Sequence, residues 1–189
     1  GHAPLRPEFH AARTKLRQRD GSIHRIFVFY GGADPNDFTG RTIDALAPRL
    51  SREIEMDVVV GAINPHVELL RKLCAATPHV RLHVQPGNMA ELMTAADLAF
   101  GACGTASWER CLLGLPAIVV IFAQNQEAPT RGLVEAGAVE SLGHADAVDI
   151  TDISAAFDRL AADPARCRAM STAALALMQA TGPSLDDLL

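Results

Sequence analysis

The chain has no C-x-x-C pair, no unbroken run of about eighteen apolar residues and no cluster of lysine and arginine, and each absence removes a class of protein. Its four cysteines, Cys74, Cys103, Cys111 and Cys167, share no redox or metal-ligand spacing and read as reduced thiols. Without a long apolar run there is no candidate membrane helix. Arg6, Glu8, Arg13, Lys15, Arg17 and Arg19 interrupt the start too early for a signal peptide, so the cytoplasm is the expected compartment. With 17 basic residues against 22 acidic ones, a formal charge of −5 and scattered cations, no face is expected to hold a nucleic acid. His79 and His83 are four apart, but His79-Val80-Arg81-Leu82-His83-Val84 alternates as a strand does, which separates them. They are expected to be surface histidines, and no metal is expected.

No internal repeat or linker divides the 189 residues, enough for one α/β domain with a full core. Gly1-His2 reads as a cloning remnant, residues 3–20 as a segment joining this domain to another, and 21–189 as the domain itself.

What is present alternates between strand and helix. His24 to Tyr30, Met56 to Val60, Val80 to Val84, Asp97 to Phe100, Pro116 to Phe122 and Val139 to Leu142 are short and apolar, as strands covered on both faces must be. Between them fall helical stripes. Ile43, Leu46, Ala47, Leu50 and Ile54 form one such stripe, which Pro48 should kink or shorten. Asn64-Pro65 predicts a helix start with cap and proline, and Asn88 with Glu91 three residues on predicts another. Gln126 to Ala136 and two terminal helices, near 153–161 and 165–180, complete the pattern. About six strands with crossover helices predict a Rossmann-like α/β fold with a doubly wound parallel sheet. Ligands then bind at the carboxyl ends of the strands, where Gly31 to Asn36, Gly101 to Ser107 and Gln124-Asn125-Gln126 form loops.

The turn after the fourth strand, Phe100-Gly101-Ala102-Cys103-Gly104-Thr105-Ala106-Ser107-Trp108-Glu109-Arg110, carries the clearest chemistry. Gly101 and Gly104 let backbone approach a ligand closely, and the free N–H groups of Gly104 to Ala106 at a helix start suit a phosphate. Glu109, a turn further on, offers a carboxylate to a ribose diol. Trp108 is expected to pack rather than stack on a base.

Leu5-Arg6-Pro7-Glu8-Phe9, Phe29 to Asn36, Asn88 to Met93, Gly101 to Pro116 and Asn125-Gln126 together resemble the C-terminal half of the UDP-sugar hydrolase of pseudaminic acid biosynthesis. More loosely they are similar to the peptidoglycan N-acetylglucosaminyltransferase and other GT-B enzymes, whose active site lies between two Rossmann-like domains. The resemblance spans Leu5 to about Gly143. It implies that Gly104, Thr105 and Ala106 hold the pyrophosphate, Glu109 the ribose, the backbone near Met89 the uracil, and Asn125, Gln126 and Gly31-Gly32-Ala33-Asp34 the sugar. Cys103 and Thr105 stand where the family has glycine and serine.

By that resemblance this chain is one half of a GT-B fold that binds UDP or a UDP-sugar without metal or cofactor. The catalytic base is expected in an N-terminal domain preceding residue 3, so no catalytic residue is assigned to this chain, and His66 and His144 are not drafted for the role. Alone, the half is expected to be inactive and prone to self-association. Three readings stay open: a hydrolase releasing UDP and a diacetamido-trideoxyhexose, the donor domain of a glycosyltransferase, and a binding module without catalysis.

Overall fold

The computed structural model describes residues 6–180; Gly1-His2, expected from the sequence to be a cloning remnant, Leu5 of the first motif and residues 181–189 lie outside the described residues. The elements are α1 (Pro7–Arg13), β1 (Arg25–Phe29), α2 (Phe38–Leu46), β2 (Glu55–Val60), α3 (Val67–Ala76), β3 (Val80–Val84), α4 (Met89–Ala95), β4 (Leu98–Ala102), α5 (Thr105–Leu112), β5 (Ala117–Ile121), α6 (Glu127–Glu135), β6 (Val139–His144), α7 (Ile150–Ala161) and α8 (Pro164–Ala180). The strands form one sheet in the order β3-β2-β1-β4-β5-β6, and every ladder is parallel. This is the doubly wound arrangement the sequence predicts.

Apolar side chains on both faces hold the helices to the sheet. One layer joins Ile26, Val28 and Val58 to Ile43 and Leu46 of α2, Leu70 of α3 and Phe157 of α7. The other joins Phe27, Ala99 and Val119 to Phe9 of α1, Met93 of α4, Leu112 of α5 and Leu133 of α6. Each fully buried side chain of this size contributes about 1.5–3 kcal/mol. Helix α8 serves both layers, with Cys167 and Met170 in the first and Ala174 and Met178 in the second.

Several local expectations are corrected. The stripe from Ile43 to Ile54 is not one helix: α2 stops at Leu46, a 3-10 turn covers Ala47–Arg49, and Leu50 is extended. Pro48 has no N–H to continue the ladder, so the chain tightens and leaves. Helix α3 starts at Val67 with His66 as its cap, because the Asn64 side chain instead accepts the His66 N–H at 2.7 Å in a local turn. Asn88 precedes α4 as expected, but its amide donates to Glu91 Oε2 at 3.3 Å and caps no backbone group. Strand β4 runs on through Gly101, which pairs with Phe29 and Val119. A Cβ on Gly101 would stand 2.3 Å from the Phe29 carbonyl oxygen, so this glycine serves strand packing and not approach to a ligand. His83 is not a free surface residue: its Nε2 lies 2.8 Å from Oδ1 of the buried Asp57, which Arg81 also contacts at 3.1 Å.

Residues 6–20 pack onto the domain. Phe9 is fully buried, and the guanidinium of Arg19, 7% exposed, donates to carbonyls of Met93, Thr94, Ala96, Leu113 and Gly114. It thereby serves the C-terminal ends of α4 and α5, where the last carbonyls of a helix have no donor within the helix itself. Arg17 joins it on the carbonyls of Thr94 to Ala96 and on Asp97.

Candidate functional site

Strands β1 and β4 are neighbours from which the sheet grows outward in both directions, so the loops after them diverge and leave a crevice at their carboxyl ends. A cleft of about 360 Å³ opens there. Its walls are Phe29 and Gly32 at the end of β1, Val59 to Gly61 at the end of β2, Gln85 and Pro86 after β3, Met89 at the start of α4, and Thr105, Ala106 and Glu109 of α5, with Arg6 across the mouth. The cleft thus brings together Gly32, Met89, Thr105, Ala106 and Glu109, five of the residues singled out in the sequence.

The loops pack closely because they are backbone against backbone. Gly61 donates its N–H to the Gly32 carbonyl at 3.0 Å, and a Cβ on Gly61 would meet that oxygen at 2.6 Å. Gly31 has φ +103°, a conformation that suits glycine. Tyr30, Phe38 and Phe122 pack together with centroids 4.9 to 5.9 Å apart, Phe122 edge to face with the other two, and the buried Tyr30 hydroxyl meets Thr42 Oγ1 at 2.9 Å. Burial pushes the ionisation of that phenol upward.

At the glycine turn, β4 ends at Ala102, Cys103 turns inward, and Gly104 stands exposed before α5. The Ser107 N–H is taken by the Gly104 carbonyl at 2.9 Å, whereas no acceptor among the described residues takes the N–H groups of Gly104, Thr105 or Ala106. Nothing lies within 4 Å of where a Gly104 Cβ would be. Three donors at a helix start, with open space before them, form an anion site. Trp108 packs against the α1/α4/α5 layer.

Glu109 is 5% exposed and accepts two hydrogen bonds from Arg6, Nε to Oε1 at 2.9 Å and Nη2 to Oε2 at 3.2 Å. That pairing raises the Arg6 pKa above its ordinary value. Glu109 is thus a buried, paired carboxylate and not a solvated residue of the helix surface. Asp34 is 4% exposed and its two oxygens accept the N–H groups of Phe38 (3.1 Å) and Thr39 (2.8 Å), tying the β1 loop to the start of α2. Asn125 is exposed in a 3-10 turn after β5, and Gln126 Oε1 accepts the Phe122 N–H at 2.9 Å. Gly31 and Asp34 lie in the loop after β1, and Asn125 and Gln126 in the turn after β5; none of the four is among the cleft's wall residues.

Sequence reasoning passed over Arg110, Gly61, Gln85 and the role of Arg6 here. A lone glycine directly after the apolar strand Met56 to Val60 was the available signal for Gly61. Arg110 is fully buried, with Nη2 donating to the Ala102 carbonyl and to Ser107 Oγ, both at 2.8 Å. Burial lowers its pKa from the ordinary arginine value. Among the described residues no cluster of three or more His, Cys, Asp or Glu is placed to hold a metal, and no helix is long and apolar enough to cross a membrane.

The fold is one half of a GT-B glycosyltransferase-like architecture. The lipid-A-disaccharide synthetase family matches residues 42–125. The spore coat polysaccharide biosynthesis protein SpsG of Bacillus subtilis (strain 168) is 30% identical over 141 residues, 74% of this chain but only 41% of SpsG. The chain thus spans less than half the length of that relative. WaaG, a glycosyltransferase involved in lipopolysaccharide biosynthesis, superposes with a TM-score of 0.67 at 17% identity, over 95% of this chain and 48% of WaaG. The C-terminal CMP-Kdo binding domain of WaaA from Acinetobacter baumannii superposes with a TM-score of 0.64 at 16% identity, over 91% of this chain and 98% of that domain.

Proposed function

We propose that this chain is the nucleotide-sugar donor-binding half of a GT-B glycosyltransferase, acting in the assembly of a surface polysaccharide or glycolipid. The observation that carries the reading is the set of unclaimed N–H groups at Gly104, Thr105 and Ala106, two of these residues lining a cleft that also holds the carboxylate of Glu109. A sugar nucleotide matches this arrangement: its pyrophosphate on the amides, its ribose diol on Glu109 once Arg6 moves aside, and its uracil on the backbone near Met89. The sugar then extends toward the Gly31-Gly32 loop, anchored by Asp34, and toward Asn125 and Gln126.

The transferase reading is favoured over the hydrolase because the matching family is one of synthetases and the superposing WaaG is a glycosyltransferase. In either case the donor half stabilises the charge that develops on the departing nucleoside diphosphate, through preorganised amides. The acceptor and the base that deprotonates it belong, in this reading, to a second domain.

Calorimetric titration with UDP, CMP and thymidine diphosphate tests the proposal. Saturable binding of UDP, tighter than of the other two, is the expected result. Absence of binding by any nucleotide at millimolar concentration overturns it. Release of UDP from a UDP-sugar by a two-domain form without any acceptor would restore the hydrolase.

A further inference from the structure

Arg110 heads the fully buried side chains in size, at 1% exposure, yet its guanidinium is only half satisfied. Nη2 donates to the Ala102 carbonyl and the Ser107 hydroxyl, while Nε and Nη1 have no acceptor. The titratable groups whose fields reach it are Cys103, Cys111, Glu109 and Tyr30. Of these only Glu109 is a carboxylate, and both its oxygens accept from Arg6. An arginine does not shed its proton, so a buried guanidinium without an anionic partner is destabilising. That cost calls for a compensating anion.

The position of the charge says where the anion sits. Ala102 is the last residue of β4 and Ser107 the third of α5, so the two acceptors of Nη2 are the two ends of the glycine turn. The guanidinium lies behind the turn, and the open donors of Gly104, Thr105 and Ala106 lie in front. Resting on the donor-binding reading above, we propose that Arg110 is the positioning residue of the diphosphate site. From inside the core it ties both ends of the turn so that the amides face the cleft, and it supplies a positive charge that a diphosphate on those amides neutralises. The charge acts through one layer of protein with little water to screen it. It selects a diphosphate over a neutral nucleoside without touching either.

Arg110→Met, Arg110→Lys and wild type are compared for UDP and uridine by protein-observed NMR titration, with thermal melts alongside. The expected result is that Arg110→Met lowers the preference for UDP over uridine about tenfold or more, as loss of a charge-assisted interaction does. Uridine affinity stays near that of wild type, and Arg110→Lys recovers part of the preference. A merely structural role would weaken both ligands together; an unchanged preference overturns the proposal. If Arg110→Met does not fold, Arg110→Gln, which keeps a donor but not the charge, carries the same comparison. Wild-type protein that binds no UDP overturns the donor-binding reading and this inference with it, whereas UDP binding with an unaltered preference in the variants overturns the role of Arg110 alone.

Discussion

Arg6 clasps Glu109 with two parallel hydrogen bonds across the mouth of the cleft, although the two are 103 positions apart in the chain. Their side chains are 48% and 6% exposed, so the pair opens from the arginine side. An ion pair with one half-exposed partner is worth about 1 kcal/mol or less. A ribose diol, which brings two O–H donors, can therefore displace Arg6.

Glu109→Gln is expected to weaken UDP by about 1–3 kcal/mol relative to its effect on 2′,3′-dideoxy-UDP, since only UDP presents the diol. Calorimetry with both ligands reads the difference. Equal losses would remove Glu109 from the ribose site. Arg6→Ala should leave UDP affinity unchanged or slightly tighter, and a marked loss would instead give Arg6 a direct contact with the nucleotide.

Two glycines three residues apart should respond in opposite ways. Gly101→Ala places a Cβ 2.3 Å from the Phe29 carbonyl oxygen and 2.7 Å from Arg110 Nη1, so the strands must part. A loss of about 1–3 kcal/mol in stability follows, read from the urea midpoint. Gly104→Ala meets nothing within 4 Å, at an ordinary φ of −115°, and stability is expected to stay near that of wild type. Its methyl group projects into the space before the amides, so UDP affinity falls.

These contrasts mark what a sequence carries. The strands were readable because parallel strands covered on both faces appear as apolar runs, as Ala117 to Ile121 does with every side chain buried. Pro48 announced a break in its helix, and the turn from Gly104 to Ala106 announced backbone donors. The Arg6 to Glu109 pair was unreadable because it spans most of the chain. Gly101 and Gly104 look alike as letters; only the Phe29 carbonyl, brought alongside by the β1/β4 ladder, separates strand packing from an open site. Arg110 reads as a surface cation until its burial is known.

Asp57 gives a pH-dependent prediction. Burial alone would raise its pKa, but hydrogen bonds from Arg81 and His83, with the charges of Arg81 and Arg25, outweigh it and hold the carboxyl below the ordinary 3.8. A carboxyl depressed on folding contributes stability above its unfolded pKa and loses it as pH falls through the folded one. Asp57→Asn should therefore cost about 1–3 kcal/mol at neutral pH, and less as the pH drops below 3.8. Urea midpoints for both proteins across the acid range check this. A penalty that does not vary with pH contradicts it.

Arg19→Ala removes one donor from each of five carbonyls at and just past the ends of α4 and α5; Arg17 still reaches those of Thr94 and Ala96 and Ser171 Oγ that of Gly114, while Met93 and Leu113 lose their side-chain donor. Loss of about 3 kcal/mol or more is expected, with a lowered melting temperature. Arg19→Lys, which cannot fork across both helix ends, should recover only part. Full recovery would show that charge, and not the fork, matters there.

The account's central claim is that the backbone of Gly104, Thr105 and Ala106 receives the phosphates of a nucleotide. Titration of the isotopically labelled chain with UDP, followed through its amide ¹H–¹⁵N resonances, tests this most directly. The account predicts large downfield proton shifts at these three amides, saturating together with changes at Met89 and the Glu109 backbone. Shifts confined to another surface, such as the groove between α1 and α4 lined by Ala11, Ala12, Ala90 and Ala95, would contradict it.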